Sequence, residues 1–123
     1  MPTDRDIEQF IGESFSSIWD LELLAVVLER PEQPLTASEL VERMRASELV
    51  VEQGVKTLVT IGLATLDAED RLRFSPVTAE LENSAREASE FYRRFPGRAR
   101  RLLIDRHSPG LTAFADAFRL RKD

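Results

Sequence analysis

Apolar residues recur along this chain mostly at three- and four-residue steps, the period of helices that bury one face. Ile7, Phe10, Ile11 and Phe15 form a first amphipathic stretch, with Thr3 and Asp6 placed to cap its start. Ser17 and Asp20 make a second cap-like pair. The segment from Ile18 to Leu28 behind it is apolar on nearly every side, broken only by Asp20 and Glu22. A helix of that kind belongs at the centre of a fold, with neighbours on several faces. Pro31 and Pro34 end it.

The pattern then tightens. Thr36 and Glu39 spell a T-x-x-E capping box, which predicts a helix from about Ala37 with Leu40, Val41 and Met44 facing inward. Ser47 is the next residue able to cap, so the following helix, expected over Glu48–Ile61, is joined to the first by a turn of three or four residues. Val51, Val55, Leu58 and Ile61 share its buried face, leaving Glu52, Gln53, Lys56, Thr57 and Thr60 outside. Gly62 supplies a left-handed stop. Leu63 to Leu66 and Arg71 to Phe74 read as short strands, and the polar link Asp67-Ala68-Glu69-Asp70 reads as the turn between them.

Two capped helices, a short turn and a hairpin make a winged helix-turn-helix, a module whose second helix commonly enters the DNA major groove. From about Ile18 to Phe74 the chain resembles the winged-helix bacterial transcription regulators, the broad class that includes the MarR-like and ArsR-like proteins. The resemblance rests on Leu35-Thr36-Ala37-Ser38-Glu39-Leu40, on the Val51, Val55, Leu58, Ile61-Gly62-Leu63 register, and on the hairpin after it. It implies a sequence-specific DNA-binding regulator. Ser47, Gln53, Lys56 and Thr57 stand where such proteins face DNA, and Arg71 and Arg73 resemble wing contacts to phosphate or minor groove. Double-stranded DNA and a second copy of the chain are the partners it implies.

Beyond Thr78, which can cap a further helix, Leu81, Ala85, Ala88, Tyr92 and Phe95 follow four-three-four-three spacing. That seam either packs on its own domain or pairs with a twofold mate. Phe95-Pro96-Gly97 breaks it, and Ala99, Leu102 and Leu103 suggest one more short helix. Ser108-Pro109 opens a last one carrying Leu111, Phe114 and Phe118. The expected organisation is a winged-helix domain with an N-terminal helix over residues 1–76 and a helical extension over 77–123 for dimerisation or partner binding. The fold class is mostly α with one small β-hairpin.

Charge changes this picture. The 123 residues carry a net charge of −5, the wrong sign for a phosphate binder. Residues 1–30 hold seven acids and two bases, residues 31–75 eight and five, and residues 76–123 seven and ten. The expected reading helix is therefore acidic: Glu48 and Glu52 accompany a single Lys56, and Asp67, Glu69 and Asp70 crowd the hairpin tip. A carboxylate can accept from a cytosine amino group, but it also serves as a solvated or helix-start charge. The alternative function is a winged-helix protein-interaction module whose acidic helix does not bind DNA, docking partly through its C-terminal helices. Arg93, Arg94, Arg98, Arg100, Arg101 and Arg106 form the one strongly basic cluster in the sequence. It is a solvated face, a grip on flanking phosphates, or a partner for the acidic first 30 residues.

Chemistry narrows the rest. There is no cysteine, His107 is the sole histidine, and neither a phosphate-cradling glycine loop nor a metal-ligand spacing occurs. An enzyme, a cofactor and a metal are not expected, and Trp19, Phe91, Tyr92 and Phe95 read as core. The acidic start Met1-Pro2-Thr3-Asp4-Arg5-Asp6 lacks the features of a signal peptide, and the apolar run Leu23 to Leu28 is too short to span a bilayer. With lysine reduced to Lys56 and Lys122, the arginine bias matches GC-rich bacterial genomes, and the expected compartment is the cytoplasm.

Overall fold

The central element is the helix α2 (Ile18–Glu29), and the other elements assemble around it. A computed structural model describes residues 3–107, with side chains through Ile104. The helix expected to carry Leu111, Phe114 and Phe118 lies outside the described residues. Six helices and one two-stranded antiparallel sheet follow in the order α1 (Asp4–Ser14), α2, α3 (Ala37–Met44), α4 (Glu48–Ile61), β1 (Ala64–Leu66), β2 (Leu72–Phe74), α5 (Ala79–Arg94) and α6 (Pro96–His107). The protein is thus mostly helical with a small hairpin. No described helix is long and apolar enough to cross a membrane.

Local chemistry sets most helix starts. The Thr3 hydroxyl accepts from the Asp6 N–H, Thr36 from Glu39, Ser47 from Val50 and Thr78 from Leu81; such caps contribute about 1 kcal/mol each. Return bonds complete the box at Thr36, whose N–H and hydroxyl donate to the Glu39 carboxylate and hold its pKa below the ordinary value. At the start of α2 the Asp20 carboxylate accepts from the Ser16 and Ser17 N–H groups at 2.7 and 3.1 Å. Among the described residues Asp20 is the one charged residue buried in the core.

α2 packs against α3, α4, α5, α6 and β2, as its all-round apolar sequence predicts. Its Leu21, Leu23, Leu24 and Val27 join Ile7, Ile11 and Phe15 of the α1 region, Leu40, Val51 and Leu58 of α3 and α4, and Ala85, Ala88 and Phe91 of α5 in one continuous core. Residues on both sides of position 76 therefore share a single interior. The seam on α5 is spent there: Ala85 and Ala88 are buried, and Leu81, Tyr92 and Phe95 pack against the core. Of its two readings, packing on its own domain is the one observed. Trp19 departs from expectation. It is 38% exposed, because α2 turns Asp20, Leu21, Leu23 and Leu24 inward and leaves the indole at the edge facing α6.

α2 meets α4 closely at Gly54. A Cβ there would lie 3.0 Å from the Leu23 Cδ2 and 3.6 Å from an Asp20 carboxylate oxygen. Gly62 serves differently, taking φ +94 at the end of α4, where a side chain would also meet Val77. The chain then turns into the hairpin, held by Leu63 N–H to Leu58 O at 2.9 Å and Val77 N–H to Gly62 O at 2.9 Å. Leu35, between α2 and α3, exchanges two backbone bonds with Leu72 and adds a one-residue third strand to the hairpin.

α1 packs against α5 and α6, the last described helices. Arg98 donates to Glu8 while its guanidinium lies over the Phe91 and Phe95 rings at 5.4 and 5.3 Å. Of the basic cluster, Arg98 thus reaches the acidic N-terminal segment within one chain. Arg93 instead pairs with Glu90 on its own helix.

Tyr92 joins α5 to α2 by donating to Glu22, and burial together with that carboxylate pushes its pKa up to about 12. Because the folded value lies above the ordinary 10.0, this contribution is complete below pH 10 and is lost as pH rises towards 12. It is the single tyrosine, so ultraviolet titration should show no tyrosinate until well above pH 10 in the folded protein and ordinary ionisation once unfolded. Gly54→Val should destabilise the fold by about 1–3 kcal/mol, since added methyls must displace Leu23; an unchanged denaturation midpoint would place the α2–α4 contact elsewhere.

Candidate functional site

The face to be judged is the outward side of α4. Val51, Gly54 and Leu58 are buried beneath it, with Val55 and Ile61 half-buried at its flanks. Glu48, Leu49, Glu52, Gln53, Lys56, Val59 and Thr60 are exposed. The expected division between an inner aliphatic row and an outer polar row therefore holds, and no other described segment covers the outer row. The departures are Thr57, which is half-buried, and two apolar residues on the open side, Leu49 at 62% exposed and Val59. The connection from α3 is short, with Arg45 in the left-handed region at φ 52 and Ala46 before Ser47 caps α4.

The six residues expected to contact a ligand are placed unequally. Ser47 is exposed, but its hydroxyl oxygen accepts from the Val50 N–H at 3.2 Å. Gln53 and Lys56 are exposed side by side with Thr57, which is half-buried and donates its hydroxyl back to the Gln53 carbonyl at 3.0 Å. These three line one side of a groove of about 400 Å³, whose other wall is Ser16, Ser17 and Asp20. Arg73 is exposed on β2.

Arg71 has a different fate. Its Nε donates to Asp67 Oδ2 at 2.8 Å and lies 3.5 Å from a Glu69 carboxylate oxygen. Asp67 also accepts from the Glu69 and Arg71 N–H groups through Oδ1, both at 2.9 Å. One carboxylate thus shapes the hairpin turn and engages the cation expected to meet phosphate. The backbone donors, led by Arg71 N–H, hold the Asp67 pKa below its ordinary 3.8. The turn closes with Asp70 at φ 60, a conformation aspartate tolerates better than most residues.

Sequence reasoning did not find the apolar groove on the other side of Lys56. Between α3, α4 and the hairpin lies an open cavity of about 510 Å³ floored by Leu40, Val51, Val55 and Leu72, with Val59 and Leu66 on its wall. Glu52, Lys56 and Asp70 stand at its margin. The signal was present in the four-residue step from Val55 to Val59, but strand alternation assigns Leu66 to the same face as buried Ala64, whereas Leu66 sits exposed at the strand end. Among the described residues no group of three or more His, Cys, Asp or Glu side chains could hold a metal ion.

No protein-family model matches this chain, and a search of curated proteins finds no significant similarity.

If the Asp67 carboxylate holds the turn, Asp67→Ala should accelerate amide exchange at Glu69 and Arg71 while leaving the Val51 and Leu58 amides protected. Its lowered pKa fixes the sign of the pH effect: the wild-type turn keeps this contribution above pH 3.8 and loses it as acid protonates the group. Equal exchange in wild type and variant would remove Asp67 from this role.

Proposed function

We propose that this chain is a winged-helix regulator of transcription that reads duplex DNA with the outer face of α4. The observation that carries this reading is the exposed row of Gln53 and Lys56 on a helix whose opposite side is locked into the core by Val51, Gly54 and Leu58. The order of elements agrees with it: a central helix, the Leu35 bridge, two helices joined by a tight turn, then a hairpin paired back to Leu35. In this arrangement α4 enters the major groove by its N-terminal turn, Gln53 meets a base edge and Lys56 a phosphate. The regulator acts as a twofold dimer with its two reading helices about 34 Å apart. Its contact surface is not the α5 seam, which is buried in its own domain.

The engagement of Arg71 by Asp67 leaves Lys56 and Arg73 as the main cations on this face, so DNA affinity depends only shallowly on salt. Roughly two phosphate contacts per copy correspond to a log–log slope near −2 per copy, far below that of a strongly basic reader. A second reading is favoured by the 510 Å³ apolar groove and exposed Leu49: α4 and the hairpin dock a protein instead, in a cytoplasmic assembly.

The test is retardation of duplex from the protein's own upstream region across a salt series. Gln53→Ala should weaken binding by about 1–3 kcal/mol at one base position, and Lys56→Ala should weaken it on all sequences while reducing the salt slope by about 1. Wild-type affinity in both variants, or no duplex retained at low salt, would overturn the DNA reading.

A further inference from the structure

Trp19 is the single tryptophan of the chain, and it stands on an unpartnered apolar edge. With Ile18, Leu103 and Ile104 it lines an open groove of about 310 Å³ between the start of α2 and the last turns of α6. Ile104 is 54% exposed there. An indole and an isoleucine so placed present apolar area that a folded chain ordinarily covers. The chain leaves α6 at His107, three residues past Ile104, and therefore at the edge of this groove.

Sixteen residues follow His107. They carry Leu111, Phe114 and Phe118 at three- and four-residue spacing behind Ser108-Pro109, a helix-start signature. A helix of that length is marginal alone in water, so its apolar stripe needs a surface to lie on. From Leu111 to Phe118 such a helix spans about 10 Å, comparable with a groove a few side chains long.

We propose that residues 108–123 fold back in the same chain and seat Leu111, Phe114 and Phe118 in the groove between Trp19 and Ile104. The short connection from His107 decides for the same chain over a second copy, because tethering gives an effective concentration in the millimolar range. The seating of the segment stands whether α4 reads DNA or protein.

Trp19 reports on the contact directly. In the 123-residue chain, Phe114→Ser with Phe118→Ser should red-shift the tryptophan emission and raise its quenching by acrylamide, with the far-ultraviolet spectrum of a folded protein retained. Unchanged emission and quenching in that folded variant would overturn the proposal. A cysteine pair gives an independent readout, since the natural chain has no cysteine. Ser16→Cys with Ala117→Cys should form a disulfide within one chain under mild oxidation, whereas a disulfide-linked dimer, or no disulfide, would overturn folding back in the same chain.

Discussion

The constraint on which the structure turns is the absence of a side chain at Gly54. A helix can present its outer face only if its inner face is held in one orientation, and α4 lies so near α2 that a Cβ at Gly54 would crowd the Leu23 Cδ2 at 3.0 Å. The buried Asp20 carboxylate stands beside this contact. That carboxylate in turn accepts from the N–H groups that open α2. Cap, central helix and exposed helix are thus one mechanical unit. The rotation of α4 follows from it, and with that rotation the exposure of Gln53 and Lys56.

Electrostatics and shape are in tension on the exposed face. The cations that a phosphate-binding surface needs are few, and one of them, Arg71, is engaged by two carboxylates of its own turn. Most of the remaining arginines lie at the far end of the chain. There Arg98 is drawn to Glu8 and to two aromatic rings, and Arg86 lies over the Phe74 ring at 5.6 Å. Guanidinium groups stacked on aromatic faces contribute packing as well as charge. Arg86 and Arg98 therefore support the fold as well as carrying charge.

The features legible in the sequence were those fixed by neighbours along the chain. Thr36 with Glu39, Ser47, Thr78 and Gly62 act within one turn, so their spacing alone predicted where helices begin and end, and α4 occupies the expected residues. The inward row of α4 was legible for the same reason. What escaped depends on partners distant in sequence or on small local geometry. The exposure of Trp19 follows from how α2 is rotated by five neighbouring elements, and the importance of Gly54 follows from a leucine 31 positions earlier. The Arg71 pairing lies within four residues of Asp67, yet spacing could not distinguish a turn-bound arginine from one extended to solvent.

The docking of α1 has a consequence for synthesis on the ribosome. Its principal neighbours are α5 and α6, and Arg98 meets Glu8 across 90 positions. At translation rates of 5–20 residues per second, roughly 5–18 s separate the emergence of α1 from that of its partners. Throughout that interval the oily side of Ile7, Ile11 and Phe15 has nowhere native to rest. α1 is made well before the helices that house it, and over that interval its apolar stripe is open to holding chaperones.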